Sequence, residues 1–188
     1  MRKPSSPNPV ATRAAKRKGL HMTDYCVTVA DMARARFFAL EPVASPDFNS
    51  GPNLTERGTL TIPAGELRDR DIFTNTEAGC NHGPGGATHT YDDHRSRHRL
   101  EFERRFAKRV VAETLRLARQ WKVKHLVLAA NSRMLNLLRD ALPASVATRF
   151  DIRELARDMT KLTPVAIHQH LARAELLPAR KTARRRSG

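Results

Sequence analysis

Cysteine, long apolar runs and aromatic side chains are all scarce in this 188-residue chain. The two cysteines, Cys26 and Cys80, are too few for a disulfide scaffold, which favours a reducing compartment and a cytoplasmic protein. No apolar run approaches the ~18 residues of a membrane helix, so membrane insertion is not expected. One Trp, two Tyr and seven Phe provide little material for a platform on which nucleic-acid bases stack.

Acidic residues are absent from both ends of the chain. Residues 1–22 carry six Lys or Arg and residues 178–188 carry five, so these two segments hold most of the formal net charge of +15. We therefore predict one folded domain over 23–177, of a length that can bury a core, between two disordered basic tails. Basic tails attract polyanions such as RNA, DNA or anionic lipid.

Hydrophobic patterns in the first part of the domain predict three antiparallel strands. Residues 25–30 are typical of a short buried strand. Over residues 33–40 Ala and Phe alternate with Arg, which predicts a second strand with one solvated face. Asp31 would lie at the turn of the hairpin that joins the two. A third strand is expected over Leu54–Ile62.

Helices and strands are then expected to alternate. One apolar stripe with spacings of three and four residues predicts a long helix, and its members are Phe102, Phe106, Val110, Thr114, Leu117 and Trp121. The apolar run Lys124–Ala130 is typical of a strand buried on both faces by parallel pairing. A helix over Met134–Leu142 follows, with Asn131 or Ser132 as its cap.

A fifth strand over Val146–Leu155 and a helix from Thr163-Pro164 to about Leu171 complete the order. The fold class is therefore α/β, with a mixed sheet of three antiparallel strands followed by alternating helices and strands. This order matches the connectivity of a ribonuclease-H-like core.

Two candidate ligand sites fall in or beside the long aperiodic segment 63–93. Gly83, Gly85 and Gly86 form a candidate loop that permits close backbone approach to a ligand, and the opposing interpretation, a flexible surface loop, is the simpler one. His94 and His98 are four residues apart and would share a helix face, which makes them candidates for a metal pair. The two histidines are not part of a His-Glu-x-x-His pattern, and the spacing of Cys80 from them matches no standard zinc module. No metal and no cofactor are therefore predicted.

Asp31 is the candidate catalytic residue. It would stand where a ribonuclease-H-type nuclease has its first metal-binding carboxylate, which makes a metal-dependent nuclease or hydrolase the alternative function. The opposing interpretation is a turn aspartate that accepts hydrogen bonds from backbone amides. Because no catalytic signature accompanies it, we expect the protein not to be an enzyme.

Basic side chains on the long helix and in the C-terminal tail are the candidate nucleic-acid-binding residues. They are Arg104, Arg105, Lys108, Arg109, Arg184, Arg185 and Arg186. Glu101, Glu103 and Glu113 interrupt the helical run, so part of it is expected to be a salt-bridged solvent face. RNA or the ribosome is the predicted partner, and the oligomeric state is left open.

Four segments, taken together, carry a family resemblance. They are Val29–Phe38 (VADMARARFF), Phe106–Val111 (FAKRVV), Leu126–Arg139 (LVLAANSRMLNLLR) and Glu154–Thr160 (ELARDMT). In order and spacing they resemble the bacterial host attachment protein family, which is also grouped with bacterial homologues of archaeo-eukaryotic release factors. The resemblance spans roughly residues 25–171.

The resemblance implies a ribonuclease-H-like central domain of the release-factor type that associates with the ribosome or RNA. Release factors of this type carry a Gly-Gly-Gln loop in a similar place. Here Gly85-Gly86 is followed by Ala87, so peptidyl-tRNA hydrolysis is not carried over. A role in cell attachment, from which the family takes its name, would then be indirect.

Overall fold

A computed structural model describes residues 24–43, 50–62 and 89–181, with side chains in the last range from residue 97 onward. The strands are β1 (Tyr25–Ala30), β2 (Arg34–Glu41), β3 (Asn53–Thr61), β4 (His125–Ala130) and β5 (Asp151–Ala156). The helices are α1 (His89–Trp121), α2 (Ser132–Ala141) and α3 (Pro164–Arg173), with a 3-10 turn at Ala144–Val146. Within these ranges, no helix has the length and apolar character needed to span a membrane.

The strands form one mixed sheet in the order β3-β2-β1-β4-β5. The neighbours β1, β2 and β3 pair antiparallel, whereas β4 runs parallel to both β1 and β5. The predicted α/β class and the predicted order of elements are therefore confirmed. The ribonuclease-H-like assignment within that class stays a prediction.

Apolar side chains cover both faces of the sheet, and this explains the uninterrupted apolar runs of β1 and β4. Helices α1 and α2 pack on one face, around Leu126 and Leu128. Helix α3 packs on the other, where Ile167 and Leu171 contact the opposite side chains of β1 and β4. The sheet is thus the middle of three layers.

One polar position in the apolar stripe of α1 has a hydrogen-bond explanation. The Thr114 hydroxyl donates to the Val110 carbonyl at 2.8 Å and lies 2.9 Å from the Thr28 hydroxyl on β1. Since Thr114 has already given its proton, Thr28 donates to it. The buried pair links α1 to the centre of the sheet without an unsatisfied hydroxyl.

The solvated face predicted for the second strand is wrong. Arg36 is only 7% exposed, and β2 is buried along almost its whole length. The alternation of Ala and Arg is real, but the turn before α3 covers the face that Arg36 occupies. The buried guanidinium of Arg36 is satisfied by protein acceptors instead of water, because it donates to Glu56 and to two backbone carbonyls.

Two predicted boundaries also differ from the structure. β5 begins at Asp151 instead of Val146, since Ala144–Val146 form a 3-10 turn and the Phe150 amide still donates to the Val146 carbonyl. α1 begins at His89, inside the predicted aperiodic segment 63–93. The caps agree with expectation, with Asn131 accepting from the Met134 amide and Thr163 from the Ala166 amide.

Residues 176–181, here called the C-terminal strap, return to the start of β3. Leu177 is buried, and Lys181 exchanges backbone hydrogen bonds of 2.8 and 3.0 Å with Gly51. The buried His168 of α3 donates from Nε2 to the Pro178 carbonyl at 2.9 Å. Residues 178–181, which the sequence analysis placed in the C-terminal tail, thus contact the folded domain.

Candidate nucleic-acid interface

The solvent side of α1 carries a cluster of cations that we call the basic face, made of Arg104, Arg105, Lys108 and Arg109. All four are exposed, while their neighbours Phe106 and Val110 are buried against the sheet. At 3.6 residues per turn the four lie within an arc of about 140° around the helix. The apolar stripe thus fixes the direction in which these predicted cations point.

Within the described part of the chain, no member of the basic face forms an ion pair with a carboxylate. Among the described residues, one member of the basic face contacts an aromatic ring: the guanidinium carbon of Arg105 lies 5.1 Å from the centre of the Phe102 ring. Some other arginines of the domain are paired, among them Arg116 with Glu113 at 2.7 Å and Arg153 with Asp151 at 2.8 Å. In the described ranges, the four cations of the basic face therefore remain outside ion pairs, and the one carboxylate on the same side of the helix is the exposed Glu101, one turn before them.

Two of the three glutamates that interrupt the basic run bind arginines outside the basic face. Glu103 is 4% exposed and accepts from Arg99 at 3.2 Å and from Arg133 of α2 at 2.6 Å. The hydrogen bond from Arg116 lowers the pKa of Glu113. These two carboxylates therefore form their ion pairs with arginines outside the basic face.

Asp31 lies at the carboxyl end of β1, where all of its described contacts are structural. Its Oδ1 accepts from the Ala33 and Arg34 amides at 2.7 Å each, and its Oδ2 lies 3.0 Å from the Thr160 hydroxyl. These are the bonds of a turn aspartate. The structure thus gives Asp31 the role of joining the β1–β2 turn to the segment that follows β5.

The carboxyl ends of the three parallel strands place Asp31, Asn131 and Asp158 at one edge of the sheet. Asn131 is occupied as the cap of α2, and Asp158 accepts from the Thr160 amide at 2.9 Å and lies 2.8 Å from its hydroxyl. In the described ranges, no group of three His, Cys, Asp or Glu side chains is placed to hold a metal ion. The spacing Asp-x-Thr is a signal for this local turn that the sequence analysis did not use.

The opposite edge carries a second polar cluster, which the sequence analysis missed. Tyr25 stacks on His125 with ring centres 4.5 Å apart, and His125 Nδ1 lies 2.8 Å from Asp151. Hydrogen bonds from His125 and Arg153 lower the pKa of Asp151. The first residues of β1, β4 and β5 supply three of these groups, so only the parallel register reveals the cluster.

Several predicted site residues lie outside the part of the chain that the structure describes. These are Gly83, Gly85, Gly86, Arg184, Arg185 and Arg186. His94 and His98 both belong to α1, as the proposed helix-face pair requires, but the described side chains include only His98, which is exposed. These candidates remain predictions.

Residues 26–171 match the model of a family described as proteins required for attachment to host cells. The chain belongs to the host attachment family. The match extends from β1 to α3, so the basic face and Asp31 both lie inside the family domain, whereas the C-terminal strap lies beyond it. A search of curated proteins gives no match.

Proposed function

We propose that this host attachment family protein is a non-catalytic, release-factor-like domain that binds RNA or the ribosome in the cytoplasm. The observation that carries the proposal is the basic face of α1, whose four exposed cations lack a carboxylate partner among the described residues. The strand order β3-β2-β1-β4-β5 is compatible with the ribonuclease-H-like core of such a domain. Attachment to host cells would then depend on this protein indirectly.

Electrostatics favours a polyanion as the ligand of the basic face. Four like charges on one and a half turns of helix repel one another, and each phosphate that neutralises one of them releases condensed counterions from the nucleic acid. The C-terminal Arg184, Arg185 and Arg186 add charge of the same sign. Binding is therefore expected to weaken steeply as salt rises.

The alternative, a metal-dependent nuclease using Asp31, has less support. Both carboxylate oxygens of Asp31 already lie within hydrogen-bond distance of protein donors. A metal at Oδ1 would compete with the two amides of the β1–β2 turn, and a metal at Oδ2 would compete with the Thr160 hydroxyl. Incubation of the protein with RNA and Mg²⁺ or Mn²⁺, beside Asp31→Ala, tests this alternative directly.

The decisive experiment measures RNA affinity of the full chain by fluorescence anisotropy at several KCl concentrations. Replacement of Arg104, Arg105, Lys108 and Arg109 by Gln should lower the affinity more than ~10-fold near 0.1 M salt. The slope of log affinity against log salt should fall by about 3, at about 0.7–0.9 per phosphate contact. A variant with Gln at all three tail positions, Arg184, Arg185 and Arg186, measures how much the C-terminal tail contributes to RNA affinity.

The matched control variant removes four positive charges that lie outside the basic face. Arg149, Arg157, Lys161 and Arg173 are exposed and have no side-chain partner in the described ranges. Their replacement by Gln should change affinity and slope much less, although net charge falls equally. Equal losses in the two variants would refute the basic face as the binding surface.

Sedimentation through a sucrose gradient at low and high salt separates the two proposed partners. A ribosome-binding protein should sediment with ribosomes at low salt and leave them at high salt. A protein that binds RNA in the anisotropy measurement but stays at the top of the gradient at low salt would restrict the function to free RNA.

A further inference from the structure

The basic face supplies charge but no surface on which bases could stack. Within the described ranges Val165 on α3 is the only exposed large hydrophobic side chain. Phe102, beside the basic face, is half-buried and has the Arg105 guanidinium over its ring. Proteins that hold single strands without sequence preference gain about 1–3 kcal/mol for each stacked base, and this gain is missing here.

The cations lie on a rigid element instead of a loop. α1 has 33 residues and is anchored to the sheet by Phe106, Val110 and Leu117, all 5% exposed or less. The exposed Arg119 continues the same side of the helix beyond the basic face. Arg104 and Arg119 are about 22 Å apart along the axis at 1.5 Å per residue.

We propose that the basic face and Arg119 together bind the phosphate backbone of double-helical RNA, without reading its sequence; this rests on the proposed function. A duplex presents phosphates at fixed spacings to a fixed row of cations. A single strand has a lower charge density and loses conformational freedom when it is laid along the helix, with no stacking energy in return. Double-helical RNA is also recognised mainly through its shape and backbone.

The test compares a 20-base-pair RNA duplex with an unstructured 40-nucleotide RNA, using the full chain at one salt concentration. The duplex should bind at least ~5-fold tighter, since the two ligands differ in stiffness and charge density more than in phosphate number. The variant of the basic face should lose this preference. The control variant at Arg149, Arg157, Lys161 and Arg173 should keep it.

A single substitution tests whether the ligand lies along α1. Arg119→Gln should weaken duplex binding about 2–3-fold and leave single-strand binding nearly unchanged, whereas the control Arg173→Gln should affect neither. Equal effects of Arg119→Gln and Arg173→Gln on duplex binding would overturn the proposed alignment.

The outcomes separate this inference from the proposed function. If the single strand binds as tightly as the duplex and still depends on the basic face, the duplex preference is wrong and RNA binding stands. If neither RNA depends on the basic face, the proposed function itself fails. If vesicles of anionic lipid displace the duplex as effectively as unlabelled duplex does, the surface is a general polyanion site and the inference is overturned.

Discussion

Arg36 shows how one side chain can fasten two distant parts of the domain. Its guanidinium donates to Glu56 at 2.6 and 3.1 Å and to the Thr160 and Leu162 carbonyls at 3.0 and 2.7 Å, and it lies over the Phe38 ring. The bonds join β2 and β3 to the connection between β5 and α3. The Ala-Arg alternation of β2 predicted that this side chain is exposed to solvent. The prediction failed because a local pattern carries no information on a segment 124 residues away.

Replacement of Arg36 by Met should destabilise the protein by about 2–4 kcal/mol, measured by urea unfolding. The substitution removes the guanidinium donor from Glu56, which keeps only the Thr59 hydroxyl, and from two carbonyls, while an apolar side chain stays in place. Arg34→Met on the same strand is the control, because Arg34 is exposed and should change stability by no more than about 0.5 kcal/mol.

Lowering the pH should reduce the difference in unfolding free energy between the Arg36→Met variant and the unchanged protein. The hydrogen bond from Arg36 lowers the pKa of Glu56 below its ordinary value of 4.5. A lowered pKa in the folded state stabilises the protein above the ordinary value and ceases to do so as pH falls through the folded-state pKa. A stability difference that is constant between neutral and acidic pH would show that this ion pair contributes nothing.

At the scale of the element, α2 begins without a connecting loop where β4 ends. Asn131 is the first residue after β4, and its side chain accepts from the Met134 amide at 2.9 Å. The cap satisfies an amide that the first turn of a helix leaves free. Met134, Leu135 and Leu138 can then be buried against the sheet from the first turn onward.

Asn131→Ala should cost about 1 kcal/mol of unfolding free energy, the usual value of an N-cap. Ser132→Ala is the matched control, since Ser132 is exposed and already helical, and it should be close to neutral. Thermal or urea unfolding of both variants measures the difference. The assignment of the cap is wrong if Ser132→Ala is the more destabilising change.

The elements differ in how far the sequence determines them. β1 and β4 were predictable because apolar runs on both faces mark central strands, and α2 and α3 because their caps are local. β5 was placed too early, since the alternation from Val146 to Ile152 continues through a 3-10 turn. The contact of Asp31 with Thr160 spans 129 residues and depends on strand order, which no local pattern encodes.

Across the whole molecule, Cys26 reports on the integrity of the fold. It lies on β1 with no exposed surface, and burial raises the pKa of its thiol to about 12. A thiol must be ionised and accessible to react with an alkylating reagent. Reaction at Cys26 therefore requires the sheet to open.

Iodoacetamide labelling near pH 8, followed by peptide mass spectrometry, should leave Cys26 unmodified in native buffer. Its modification should rise with urea in proportion to the unfolded fraction, and Arg36→Met should shift the rise to lower urea. Cys80 lies outside the described residues and is counted on a separate peptide. Labelling of Cys26 at the rate of the urea-unfolded chain, in native buffer, would contradict the buried position.

The parallel pairing of β1 with β4 sets an order of events during synthesis. Tyr25 pairs with His125, a hundred residues later, whereas β2 and β3 follow β1 closely. At about 5–20 residues per second, the ribosome needs roughly 5–20 s to make the missing partner. During that interval the nascent meander has one open edge of β-branched and apolar residues, the kind that templates aggregation. β1, the central strand of the finished sheet, thus has an unpaired edge until β4 is synthesised, and slower elongation lengthens the time for which that edge is exposed.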